Sequence, residues 1–298
     1  MQKRIDIPPM CYDIKKRIGE VKKLIVTDLD GTLLDSHSNL KDEYVNEIKE
    51  FLQDGIKLTI ASGRGYDSIR PFAKKLGVEM PIICELGAFI VDPVTDRKIL
   101  EKTIPVKVVR QTLNLLKNRD YLFNAYLCRG SNYNCFKNPE APFFLDRKPV
   151  WKTDDDLMNI FNAIFKNIND YDDFSFKGIR KVSIRFEENQ FEKLKKELDE
   201  TLANNAIVKQ SDINCLDISP PGVSKGTALS YILDVCGINP ENVMAIGDNE
   251  TDSTMFDVVK YPVAVANSDE ATKQMAKFVT LSNEENGVVY AIRKFLEE

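Results

Sequence analysis

Two aspartates stand two residues apart in Asp28-Leu29-Asp30-Gly31-Thr32, directly after the short apolar run Leu-Ile-Val-Thr at 24–27. Carboxylates this close repel each other unless a proton or a cation intervenes. A hard divalent cation with oxygen ligands answers that requirement, and Mg2+ suits it. Gly31 lets the chain turn sharply beside the pair. A second acidic pair, Asp248 and Asp252 in Gly-Asp-Asn-Glu-Thr-Asp, follows another apolar run at 243–246. Its four-residue spacing can aim both carboxylates at one spot, although Asp252 alone reads equally well as a helix N-cap. Ser62-Gly63 offers a hydroxyl and backbone N–H groups at a helix start, an arrangement that binds anions. Lys225 in Gly-Val-Ser-Lys-Gly also opens a helix, where the helix dipole disfavours a cation; a bound anion would account for it. Each of the last two features alone is ordinary, a cap and an exposed lysine.

The rest of the composition narrows the chemistry by exclusion. The 298 residues contain one histidine, His37, in the polar stretch Asp-Ser-His-Ser-Asn. A Ser-His-Asp triad or a multi-histidine metal site would have to use it. The six cysteines form no Cys-x-x-Cys pair and are irregularly spaced, which argues for reduced thiols in a cytoplasmic protein rather than a zinc ribbon or disulfide framework. A net charge of −5 does not favour nucleic acid or an anionic membrane. No apolar run is long enough to span a bilayer, and the first twenty residues carry no apolar signal core. What remains is chemistry by carboxylates, hydroxyls, lysine and a hard metal ion.

These residues need elements to hold them together. The run 24–27 reads as a buried strand, followed by a helix over 41–52, a strand over 57–61, a helix over 66–76 stopped by Gly77, and a third apolar run at 81–84. Pro71 inside the second helix weakens that assignment. Strand, helix, strand, helix, strand is the pattern of a parallel sheet with crossover helices. After Gly87 the rhythm changes: 88–100 reads as a hairpin, and mixed helical and strand-like pieces follow at 106–117, 121–127, 155–167, 181–186, 190–202, 206–209 and 214–218. The acidic run 154–156 reads as a helix start. Alternation of helix and strand returns after 220–221. The expected fold is α/β: a doubly wound, Rossmann-like parallel-sheet domain from 1–86 and 219–298, with an α+β domain inserted at 87–218. Hinges between them would fall near 85–87 and 219–222.

The segments Asp-Leu-Asp-Gly-Thr-Leu-Leu (28–34), Ala-Ser-Gly-Arg (61–64), Gly-Val-Ser-Lys-Gly-Thr-Ala-Leu (222–229) and Gly-Asp-Asn-Glu-Thr-Asp (247–252), in this order, resemble the haloacid dehalogenase (HAD) superfamily. Val-Ala-Val-Ala-Asn-Ser and Asn-Gly-Val-Val-Tyr-Ala-Ile resemble its C-terminal segments, and the likeness reaches the Cof-type phosphatases with a large α+β cap. The resemblance implies a doubly wound HAD core and a Mg2+-dependent phosphatase working through an aspartyl-phosphate intermediate. It makes Asp28 the nucleophile and Asp30 the general acid and base. It implies Mg2+ ligation by Asp28, the Asp30 carbonyl and Asp248, supported by Asp252. Leu29, Ser62, Gly63, Lys225 and Thr251 would hold the phosphoryl group. Ordinary aspartate titration makes Asp28 ionised, whereas Asp30 must carry a proton for its first task. Two positions depart from the family: Thr251 replaces a common asparagine, and Leu86-Gly87-Ala88 replaces Asn-Gly-Ala.

The expected partner is a small phosphorylated metabolite, a sugar phosphate or phosphorylated cofactor. No nucleic acid or membrane is expected, and the protein should be a monomer or weak dimer. Candidate contacts from the inserted domain are Arg129, Asn132, Tyr133, Arg180 and Lys181. Phosphoryl transfer to a second sugar, as in a mutase, and storage of a stable aspartyl phosphate in a binding module are the alternatives. Some twenty residues precede the first strand; they could form a helix on the core, an interface or a tail.

Overall fold

The computed structural model describes residues 9–119, 121–129, 132–138, 165–167, 175–212 and 214–298. They group into two compact units, Met1–Glu101 with Ser224–Glu298, and Lys102–Val223.

In the first unit, β1 (Leu24–Thr27), β2 (Lys57–Ile60), β12 (Val243–Gly247), β13 (Tyr261–Ala264) and β14 (Phe278–Val279) form a sheet in the order β14-β13-β12-β1-β2. Every pairing in it is parallel. Strand side chains alternate between faces, and both faces are covered. Ile25, Leu58, Met244 and Ile246 pack with α2 (Asp42–Gln53), α3 (Tyr66–Leu76) and α9 (Gly287–Glu297). Leu24, Val26, Val243 and Ala245 pack on the other side with α1 (Pro9–Ile18) and α6 (Lys225–Cys236). A sheet buried on both faces explains why its strands read as continuous apolar runs. Helix α3 continues through Pro71 because Ile69, Phe72, Ala73 and Leu76 all bury on one face.

The third apolar run, β3 (Ile82–Cys84), meets the parallel sheet through a single bridge, Ala61 to Ile83. It pairs antiparallel with β4 (Phe89–Asp92), which continues to β5 (Arg97–Glu101). The hairpin that changes the sequence rhythm therefore clusters with the first unit. Between β3 and β4 three successive residues, Glu85, Leu86 and Gly87, have positive φ. The segment before β1 is helix α1, whose Ile14 and Ile18 join the core. Arg17 of α1 forks onto Asp92 at 3.1 and 2.6 Å.

The second unit carries a sheet of β6 (Phe123–Arg129), β7 (Asn132–Lys137), β8 (Phe165–Asn167), β9 (Lys181–Phe186), β10 (Ile207–Asp212) and β11 (Cys215–Ser219), in the order β10-β11-β9-β6-β7-β8. Its pairings are antiparallel except β7 with β8. Alternate residues Phe123, Ala125 and Leu127, and Val182, Ile184 and Phe186, bury against α4 (Val106–Lys117) and α5 (Phe191–Leu202). The expected helix start at 154–156 lies outside the described residues; of the expected piece 155–167, Phe165–Asn167 is a strand. Among the described residues no helix is long and apolar enough to cross a membrane. Cys84, Cys128, Cys135, Cys215 and Cys236 are buried.

Candidate active site

Strands β1, β2 and β12 are in register, with Thr27 opposite both Ile60 and Ile246. Asp28, Ser62 and Asp248 therefore leave the sheet at one end, beyond the carboxyl ends of parallel strands, where open α/β sheets bind ligands. Asp28 is 3% exposed, and its N–H donates to the Ile246 carbonyl at 3.0 Å.

Lys225 joins the two halves of the chain. It is the first residue of α6, behind a Ser224–Thr227 capping box. Its Nζ, 2% exposed with the rest of the residue, lies 2.7 Å from Asp28 Oδ1 and 2.6 Å from Asp252 Oδ1. The anions that offset its position at a helix start are thus two of the protein's own carboxylates. Asp252, fully buried, uses its other oxygen to accept the N–H groups of Asp248 and Asn249 at 3.0 and 3.3 Å. It serves as the N3 residue of a capping box that opens α7 (Glu250–Phe256).

Ligand oxygens of Asp28, Asp248 and Asp252 lie within 4.8 Å of one another. Since both Asp252 oxygens are engaged, Asp28 and Asp248 are the better placed to meet a cation. Gly31, at φ 78°, passes so close that a Cβ there would sit 2.6 Å from Asp248 Oδ2. Burial pushes the Asp28 carboxyl well above its ordinary value; Lys225 opposes this, while Asp252, Asp248 and Asp30 add to it. Burial and then Asp252 raise Asp248 to about 7. Burial alone would lower Lys225, yet Asp252 and Asp28 hold it above the usual lysine range. The ordinary aspartate value therefore does not carry over to Asp28. One ammonium does not balance these carboxylates, and the all-oxygen donor set fits a hard divalent cation.

Asp30 faces Arg64 in a fork, Oδ2 to Nε at 2.6 Å and Oδ1 to the terminal nitrogen at 2.5 Å. Such two-bond pairing of guanidinium and carboxyl fixes both orientation and position. Ser62, 1% exposed, accepts the Arg64 N–H on Oγ at 3.2 Å. Gly63 lies against Leu86, whose Cδ2 is 3.3 Å from where a Cβ on Gly63 would be. Leu29 is fully buried behind Asp28. Thr251 donates its hydroxyl to Asn249 Oδ1 at 2.7 Å.

Four contributors escaped the sequence reading. Arg64 was visible as the residue after Ser-Gly, but nothing local pointed it at Asp30. Thr32 and Asn249 each donate to Asp248 Oδ1 at 3.1 Å. Asn267 donates to the Gly31 carbonyl at 2.8 Å. His37 is exposed beside Ser36, away from this chemistry. In the second unit, Lys181 pairs with Asp217 at 3.1 Å, Arg180 is buried, Arg129 donates to the Ser175 carbonyl, and Asn132 and Tyr133 lie on β7.

A parallel sheet covered by helices, an inserted α+β unit, and a lysine-bridged carboxylate group beyond the carboxyl ends of the parallel strands define an α/β protein that carries its acidic motifs at strand ends. Residues 25–292 match the haloacid dehalogenase-like hydrolase family, and the chain belongs to that family, among its Cof-type phosphatases. MG265 of Mycoplasma genitalium is 30% identical over 282 residues, covering 92% of this chain and 98% of that protein. The 5-amino-6-(5-phospho-D-ribitylamino)uracil phosphatase YwtE of Bacillus subtilis is 28% identical over 291 residues, covering 92% and 98%. A solved haloacid dehalogenase-like hydrolase of B. subtilis superposes with a TM-score of 0.75 at 26% identity, covering 91% of this chain and 99% of the other.

Proposed function

We propose that this phosphatase is Mg2+-dependent and hydrolyses a small phosphorylated metabolite, a sugar phosphate or phosphorylated cofactor, through an aspartyl phosphate on Asp28. The carrying observation is the buried Lys225 held between Asp28 and Asp252, with Asp248 in the same carboxylate group. Asp28, the Asp30 carbonyl and Asp248 would hold Mg2+, which when bound offsets carboxylate and phosphoryl charge.

In the first step an Asp28 oxygen attacks phosphorus, the ester P–O bond breaks, and the leaving oxygen takes a proton from Asp30. In the second, water gives a proton to Asp30 and attacks the same phosphorus; the bond to Asp28 breaks, releasing phosphate. The Arg64 fork occupies both Asp30 oxygens, so Asp30 must leave it to give its proton to the leaving oxygen in the first step. The Leu29 and Gly63 amides, the Ser62 hydroxyl and Lys225 bind the phosphoryl oxygens. Lys225 also opposes the rise that burial imposes on the Asp28 carboxyl.

We infer a cytoplasmic location, where thiols stay reduced. The substrate named for YwtE, 5-amino-6-(5-phospho-D-ribitylamino)uracil, belongs in a panel with sugar phosphates. Phosphate release is measured with Mg2+, with a chelator, and with Asp28→Asn in Mg2+. Metal-dependent release that disappears in the variant is expected; release by folded Asp28→Asn rules out the covalent route.

A further inference from the structure

Asp248 is held asymmetrically. Its Oδ1 accepts from the Thr32 hydroxyl and the Asn249 side-chain amide, both at 3.1 Å. Its Oδ2 is the oxygen beside Gly31, 2.6 Å from the place of an absent Cβ. The Asn249 amide is itself fixed from its other end, because its Oδ1 accepts the Thr251 N–H at 2.9 Å and the Thr251 hydroxyl at 2.7 Å. Flipping that amide would turn its NH2 toward two donors and its oxygen toward a carboxylate. A threonine hydroxyl has a single proton to give, and here it is given to Asn249. The chain of contacts therefore runs from the residue 251 hydroxyl, through an amide locked in one orientation, to one oxygen of a carboxylate.

From this geometry we infer that Thr251 and Asn249 are positioning residues for the divalent cation: together they tie down Asp248 Oδ1 and leave Oδ2 as its ligand oxygen. The inference rests on the metal reading above and changes the part played by Thr251, which acts on Asp248 through Asn249 instead of touching the phosphoryl group. Partners of this kind, which orient a ligand without touching the metal, typically change affinity by about 10- to 100-fold when removed.

The test uses the full chain with Mn2+ as the spectroscopic probe and no substrate, the bound ion being counted by electron paramagnetic resonance. Thr251→Val removes the hydroxyl and keeps the shape. Asn249→Ser keeps an N-cap oxygen but cannot reach Asp248 with an amide donor. Both should weaken Mn2+ binding by about tenfold or more, and Thr251→Ser should restore it to within about twofold. Orthovanadate affinity at saturating Mn2+ should stay within about twofold of the parent protein in Thr251→Val, since no phosphoryl contact is lost. Unchanged Mn2+ affinity in both variants overturns the inference. So does intact Mn2+ affinity with orthovanadate binding lost in Thr251→Val, the pattern of a direct phosphoryl contact. A separate control addresses the metal reading itself: if the parent protein binds no Mn2+, or Asp248→Asn binds it equally well, that reading falls and takes this inference with it. Thermal midpoints in chelator identify any variant that fails to fold, and the remaining variant then decides.

Discussion

Gly31 brings the backbone against the Asp248 carboxylate. Its φ of 78° is one that a side chain disfavours, and a Cβ would press on Asp248 Oδ2. That oxygen belongs to a side chain held by Thr32 and Asn249, so the carboxylate would have to swing out of those contacts. Gly31→Ala is expected to cost about 1–2 kcal/mol of stability from backbone conformation. Its larger effect should be on Mg2+: the concentration giving half-maximal phosphatase activity should rise about 10-fold or more, as for other disturbed ligand supports. A metal titration of activity beside a urea melt separates the two effects. The acidic residues were legible because each motif is short and ends a recognisable strand. Arg64 and Thr32 were not, because their carboxylate partners lie 34 and 216 residues away. Local sequence identifies a donor; only the fold supplies its acceptor.

At the scale of elements, the crossing of α6 and α7 sets the position of Lys225. A Cβ on Gly226 would lie 1.9 Å from the Thr254 carbonyl oxygen, a backbone atom that cannot turn aside. The Gly226 N–H donates to the Thr254 hydroxyl at 3.0 Å. Gly226→Ala must force the helices apart at the residue next to Lys225, so it should lose about 1–3 kcal/mol by overpacking and also lose activity in the fraction that remains folded. Wild-type activity at unchanged stability would contradict this account of the crossing.

Helix α1 gives an element-scale prediction with a pH sign. Burial alone would raise the Asp92 carboxyl, but Arg17, Thr95 and the Val94 N–H more than offset it and hold it below the ordinary range. A carboxylate with a depressed folded-state value adds stability above its unfolded value, about 3.9; that stability is lost as pH falls through the lower folded value. Arg17→Met should therefore destabilise by about 2 kcal/mol near neutral pH, the scale of a charged hydrogen bond. The penalty should shrink below about pH 4, as Asp92 protonates in both proteins. Equal penalties at pH 7 and pH 3, followed by denaturant melts, would remove Asp92 as the cause. The sequence placed a possible helix before β1, but Arg17 and Asp92 are 75 residues apart and their pairing had no local signal. The hairpin at β4 and β5 was legible as a hairpin. Its attachment to β3 was not, because an apolar run does not state which edge it will join.

At the scale of the molecule, each unit has its own apolar core. Leu194, Phe123 and Ile184 belong to the core of the 102–223 unit, while Ile25, Ile60 and Ile246 belong to one in the other. Asp28, Asp30 and Asp248 all lie in the unit formed by the two ends of the described chain. A ligand that binds only the folded form stabilises what it binds, by about 2.7 kcal/mol at 100 times its dissociation constant. Mg2+ should therefore act on one unit. Scanning calorimetry is expected to resolve two transitions, with one moving upward in saturating Mg2+ by roughly 5–10 °C, the scale for a unit of this size. Asp248→Asn should abolish that shift while leaving the other transition in place. A single transition would mean that the two cores unfold together. A Mg2+ shift that persists in Asp248→Asn would mean that the ion stabilises the protein somewhere other than the carboxylates at the strand ends of the parallel sheet.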